Sequence, residues 1–123
     1  MVLTTEACAE VFNMRLALSS VGGDHEFLTE IVGLTKAAWP TLLAELRDCL
    51  DHKDLRAVGT AARLAKAAAR NVSAKRAYDS ASEVETVACK GDLPAAQMAV
   101  AQLEREVSVL QSFLETLVSC EYA

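Results

Sequence analysis

The stretch Asp54–Arg76 reads DLRAVGTAARLAKAAARNVSAKR, and at helical period it has two faces. Leu55, Val58, Ala62, Ala65, Ala69 and Val72 recur at three- and four-residue steps, a narrow apolar stripe of mostly small side chains. Arg56, Arg63, Lys66 and Arg70 fall on the other side. The last three follow the i, i+3, i+7 spacing that stacks side chains on one surface. Lys75 and Arg76 extend the positive charge, and Asp54 is the only acid in the segment. The whole chain has a net charge of -5, so a basic helical face stands in an acidic protein. Any function legible in the sequence is expected on that face.

The remaining composition narrows the class. With 123 residues the chain is read as one domain, 1–123, long enough to bury a core. Its residues are 52% hydrophobic but only 5% aromatic, and alanine, leucine and glutamate with few glycines and prolines favour helix. No Asn-Gly or Asp-Gly hairpin signal occurs and the β-branched residues are scattered. No run of about 18 apolar residues suggests a membrane span, and the N-terminus lacks a basic leader before an apolar stretch. A soluble, cytoplasmic protein is expected. Cys8, Cys49, Cys89 and Cys120 are too far apart in sequence to form a zinc-ligand pair, and reduced, mostly buried thiols are expected. No cofactor or metal motif is present: there is no glycine-rich phosphate loop, no nucleophile with a base, and Glu83 and Glu85 point to different sides of a helix.

In chain order, Thr4 and Thr5 start a short helix that continues through Asn13 to Leu18, and Ser19 to Gly23 form a loop. Asp24 caps a helix to about Leu50, roughly 40 Å long, with Phe27, Leu28, Ile31, Leu34, Ala38, Leu42, Leu46 and Leu50 as its buried stripe. Pro40 inside it predicts a kink or local break, because proline removes one backbone bond. Trp39, the single tryptophan, reads as a packing residue. Asp54 caps the basic helix, which ends at Asn71 to Ser73. Ala74 begins the next helix, with Tyr78, Ala81, Val84, Glu85 and Ala88 carrying its period, and Lys90-Gly91 stops it. Asp92 caps a last helix with Pro94 in its first turn, and Ala96, Ala99, Val100, Leu103, Val107, Leu110, Leu114 and Leu117 form its stripe. Long helices joined by short loops pack antiparallel. The expected fold is all-α, an antiparallel up-and-down four-helix bundle with a short N-terminal helix capping one end.

These features together resemble the histidine-containing phosphotransfer (HPt) domains of bacterial phosphorelays over nearly the whole chain. Val21-Gly22-Gly23-Asp24 looks like the loop and cap opening the family's second helix, and Pro40 before Leu42 and Leu43 like the proline that interrupts it. Asp54 is similar to the cap of the helix bearing the phosphorylated histidine, and Gly91-Asp92 to the cap of the last helix. The family's motif is histidine, any residue, leucine, lysine and glycine, continuing through small residues to asparagine. The matching positions here are Arg63, Leu64, Ala65, Lys66 and Ala67, then Ala68, Ala69, Arg70 and Asn71. The lysine and asparagine match; Arg63 stands where the resemblance implies the phosphorylated histidine, Ala65 where it implies leucine, and Ala67 where it implies the glycine that admits a receiver domain.

Arginine has no free lone pair and stays protonated at physiological pH, so Arg63 cannot attack an aspartyl phosphate. His25 and His52 lie off the basic face and read as solvated surface residues. The resemblance therefore implies a non-catalytic module that binds the receiver domain of a response regulator or hybrid histidine kinase, through Arg56, Thr60, Arg63, Lys66, Ala67 and Arg70. Two other readings stand beside it: an active phosphotransfer protein using another histidine, and a helical scaffold or adaptor that kept only the fold. A monomer is expected. Nucleic acid is not an expected partner, because the stripe is short, the chain is acidic and the helix lacks aromatics for base stacking.

Overall fold

The computed structural model describes residues 12–121, with side chains through residue 115. Five helices and no strand occur among the described residues. They are α1 (Met14–Ser20), α2 (His25–Asp51), α3 (Leu55–Asn71), α4 (Lys75–Cys89) and α5 (Leu93–Glu121). The expected start at Thr4 and Thr5, Cys8, and the side chains of Leu117 and Cys120 lie outside what is described.

Each helix start has a chemical cause. Asp24, Asp54 and Asp92 each accept a hydrogen bond from the backbone N–H three residues on, at 3.0, 3.1 and 3.1 Å. Asn13 does the same for Leu16 at 3.0 Å. Asn13 therefore opens a helix of its own, where the sequence pattern suggested the continuation of an earlier one. Ala74 precedes α4 with no side-chain cap.

α2 to α5 form a closed ring in which α2 packs on α3 and α5, and α4 packs on α3 and α5. Neighbours in sequence are neighbours in space, the signature of an up-and-down bundle. α1 sits at one end, where the Asn13 N–H donates to the Ser73 carbonyl at 3.2 Å. The core is uneven. α2 and α5 supply Trp39, Leu46, Leu103, Leu110 and Leu114, all fully buried, each contributing roughly 1.5–3 kcal/mol. α3 and α4 meet through small residues: Val58, Ala61, Ala62, Ala65 and Ala69 against Ala77, Ala81, Val84 and Ala88. Little separates those two backbones, so polar side chains at the edges of one helix reach those of the other.

In α2 the local break that Pro40 could have caused does not occur, and the buried stripe is only partly the expected one. The helix runs unbroken through Pro40. Proline leaves the carbonyl four residues earlier, that of Lys36, without its helical donor. Gln111 Nε2 on α5 donates to that oxygen at 3.1 Å and replaces the missing bond. The buried face is also rotated from the expected one. Leu28, Val32, Thr35, Trp39, Leu46 and Leu50 are buried, whereas Phe27, Leu34 and Ala38 are exposed and Ile31 and Leu42 half-buried. Trp39 and Thr35 set the register, and Leu34, one position from Thr35, falls about 100° away from it.

Candidate functional site

The apolar stripe of α3 is where periodicity put it. Val58, Ala62, Ala65, Ala69 and Val72 are fully buried and Leu55 half-buried. The opposite face is consequently turned to solvent. Arg56, Thr60, Arg63, Ala67 and Arg70 are all exposed, spaced by alternate steps of four and three along one line of the helix. Lys66 flanks this line on the α4 side and is half-buried. All six sequence-proposed residues thus share one surface.

Lys75 and Arg76 follow on the next helix. They open α4; Lys75 pairs with Asp79 at 2.9 Å, and Arg76 turns to Glu106 on α5. A residue the sequence reading assigned to the periodic face of α4 joins the site. Glu85 bridges two cations: its Oε2 accepts from Arg63 Nε and its Oε1 from Lys66 Nζ, both at 2.8 Å. Lys66 first and Arg63 second hold this carboxyl below the usual glutamate range. Sequence separation hid the contact, since Glu85 comes 22 positions after Arg63. The available signal was an acid at a core-flanking position of the helix that follows the basic one.

Tyr78 forms the second part of the network. Lys66 Nζ lies 5.5 Å and Arg70 Cζ 5.6 Å from its ring centroid, both within cation–π reach. Arg70 Nη2 also donates to the Tyr78 hydroxyl at 3.3 Å. The basic face is thus tied down from α4 at two points. Beyond Arg63 a groove of about 830 Å³ runs between α3 and α4, with Arg56, Thr60, Arg63, Glu85 and Lys90 among its walls.

The histidines are elsewhere. His25 is the exposed first residue of α2, and His52 follows the end of the same helix, exposed, with Nδ1 2.8 Å from the Asp48 carbonyl oxygen. That backbone oxygen, and then the Asp48 carboxylate, push the His52 pKa up. From Leu55 to Arg63 α3 rises about 12 Å. Cys89 is exposed on the groove and Cys49 half-buried, so the expectation of mostly buried thiols fails for Cys89. Burial first, with Glu45, Asp48 and Asp54 adding to it, raises the Cys49 thiol. Among the described residues no three His, Cys, Asp or Glu side chains gather around a common point suited to a metal ion, and no helix is long and apolar enough to cross a membrane.

No family model and no curated protein matches the sequence. Among solved structures, the HPt domain of the Hpt sensor hybrid histidine kinase from Shewanella superposes with a TM-score of 0.79. The match covers 89% of this chain and 95% of that one, at 13% sequence identity. Agreement at that coverage and so low an identity is agreement of backbone. The chain has the fold of a histidine-containing phosphotransfer domain.

Proposed function

We propose that this protein works in a phosphorelay by docking a receiver domain, of a response regulator or a hybrid histidine kinase, without carrying phosphate itself. One observation carries the reading. Arg63, at the position the sequence resemblance assigns to the phosphorylated histidine, has its side chain 75% exposed at the centre of the basic face. A guanidinium there has no lone pair for phosphoryl transfer but two edges for binding carboxylate or phosphoryl oxygens. A receiver's phosphorylation site, as the resemblance implies, is a cluster of carboxylates. Arg56, Lys66 and Arg70 steer such a partner and fix its orientation. The protein acts as a monomer in the cytoplasm in this reading, competing with active phosphotransfer proteins for the receiver.

The test is a titration with receiver domains from the same organism, unphosphorylated and in a phosphoryl-mimic state. Wild type is expected to bind at micromolar or tighter Kd, and Arg63→Ala to lose about tenfold, the worth of one charge-assisted contact. Arg63→His is expected to accept label from a phosphorylated receiver while wild type does not. Stable labelling of wild type would establish the active alternative. Receiver binding indifferent to Arg63→Ala, or absent altogether, would leave a scaffold.

A further inference from the structure

The two 2.8 Å bonds to Glu85 have a meaning of their own. One carboxylate is held by two cations from α3, a guanidinium nitrogen on one oxygen and an ammonium on the other. This is the geometry in which a pair of cations grips any two-oxygen anion. We propose that Arg63 and Lys66 form an anion clamp already occupied from within by Glu85, and that a receiver's carboxylate engages both cations only by displacing it.

Three features fit an exchangeable plug. First, Lys66 stays in place when Glu85 leaves, because the Tyr78 ring at 5.5 Å holds the ammonium independently. Second, the Glu85 side chain is 25% exposed and lines the α3–α4 groove, which gives a displaced carboxylate room to move. Arg56 and Lys90, on the same groove, have no ion-pair partner among the described residues. Third, the Nη groups of Arg63 make no hydrogen bond among the described residues, so a first contact with a partner forms before the plug is released. Encounter through Arg63 and then exchange at Lys66 follows from this arrangement. Glu85 thereby sets a threshold: only partners dense enough in negative charge to replace an intramolecular carboxylate gain the second cation. The partner's identity rests on the receiver reading above; the clamp itself does not.

The experiment therefore has two arms. In the first, wild type, Glu85→Gln and Glu83→Gln are titrated with inorganic phosphate, followed by the side-chain NMR signals of Arg63 Nε–H and Lys66. Glu83 is an exposed acid on the same helix, so its variant removes equal charge without opening the clamp. Glu85→Gln is expected to bind phosphate about fivefold tighter than wild type, the scale of one or two partly exposed ion pairs. Glu83→Gln is expected to change binding less than twofold. Equal affinity in wild type and Glu85→Gln, or equal gains in both variants, would overturn the clamp. In the second arm the same proteins meet an unphosphorylated receiver domain. A matching gain in Glu85→Gln, abolished in Arg63→Ala/Glu85→Gln, supports the exchange. Failure of every variant to bind a receiver while the phosphate gain persists overturns the receiver reading and leaves the clamp standing.

Discussion

Glu106 is a carboxylate in a costly position, only 7% exposed on the core-facing side of α5 between Leu103 and Leu110. Arg76 Nη2 donates to its Oε1 at 2.7 Å and Gln102 Nε2 adds a bond at 3.2 Å. Arg76 Nε approaches Oε2 to 2.7 Å, outside hydrogen-bonding alignment. Removing Arg76 strands a buried carboxylate without its counter-charge, so Arg76→Ala is expected to cost about 3 kcal/mol in urea unfolding. Replacing both partners, as in Arg76→Met/Glu106→Leu, is expected to recover most of that loss, because the desolvation cost goes with the charges. A double variant as unstable as the single one would show that packing, not charge, decides the site. At this scale the sequence was only half legible. Arg63, Lys66 and Arg70 announced themselves by spacing within one helix. Glu85 and Glu106 did not, since each meets its partner on another helix, and an acid within an apolar period reads equally as noise or as a buried pair.

The connections between helices follow one local plan. After α3, the Ser73 N–H donates to Arg70 O at 3.0 Å and the Ala74 N–H to Ala69 O at 2.9 Å, the paired bonds of a Schellman motif. The same pair recurs after α2, from Lys53 to Leu50 and from Asp54 to Cys49, and after α4, from Gly91 to Ala88 and from Asp92 to Val87. In all three the residue closing one helix is also the N-cap of the next, which is why the loops are so short. The motif needs a left-handed residue at its centre. Gly91 supplies it without strain, whereas Ser73 adopts φ 53°. Ser73→Gly is expected to stabilise the fold by about 0.5–1 kcal/mol, the left-handed penalty relieved less the extra chain entropy of glycine. A rise in Tm of several degrees would show it; a fall would mean the serine side chain makes up for the strain. Helix positions and caps were legible because these signals are local. The course of α2 across Pro40 was not, because the group that repairs it, Gln111, comes from 75 residues away.

Across the whole molecule the ion pairs act as fasteners between helices. Arg47 and Glu104 join α2 to α5, while Glu85 joins α4 to α3 through Lys66 and Arg63, so the two pairings lie on different seams of the ring. The ring itself could be read from four long periods and three short loops; which seams carry charge could not, because that depends on how each helix is rotated. Both carboxyls are held below their ordinary range, Glu104 by the Arg47 hydrogen bond and Glu85 by those of Lys66 and Arg63. The unfolded chain releases these contacts, and a free glutamate titrates near about 4.3. Each group therefore binds protons more weakly folded than unfolded. Its contribution is complete above the unfolded value and disappears as pH falls through the lower folded one. Stability from these two groups is expected to be level from about pH 6 to 8 and to decline below about pH 4.5. Each contributes at most about 1 kcal/mol, since both side chains retain contact with solvent. Trp39, fully buried, makes the measurement direct: its fluorescence follows urea unfolding at each pH. Glu85→Gln/Glu104→Gln is expected to be less stable than wild type at pH 7, and the gap to narrow as acid carries the pH through the lowered folded-state values, where wild type loses the same two charges. Parallel curves, with a gap unchanged by acid, would mean that the two carboxylates contribute shape and hydrogen bonds and that charge plays no part in closing the ring.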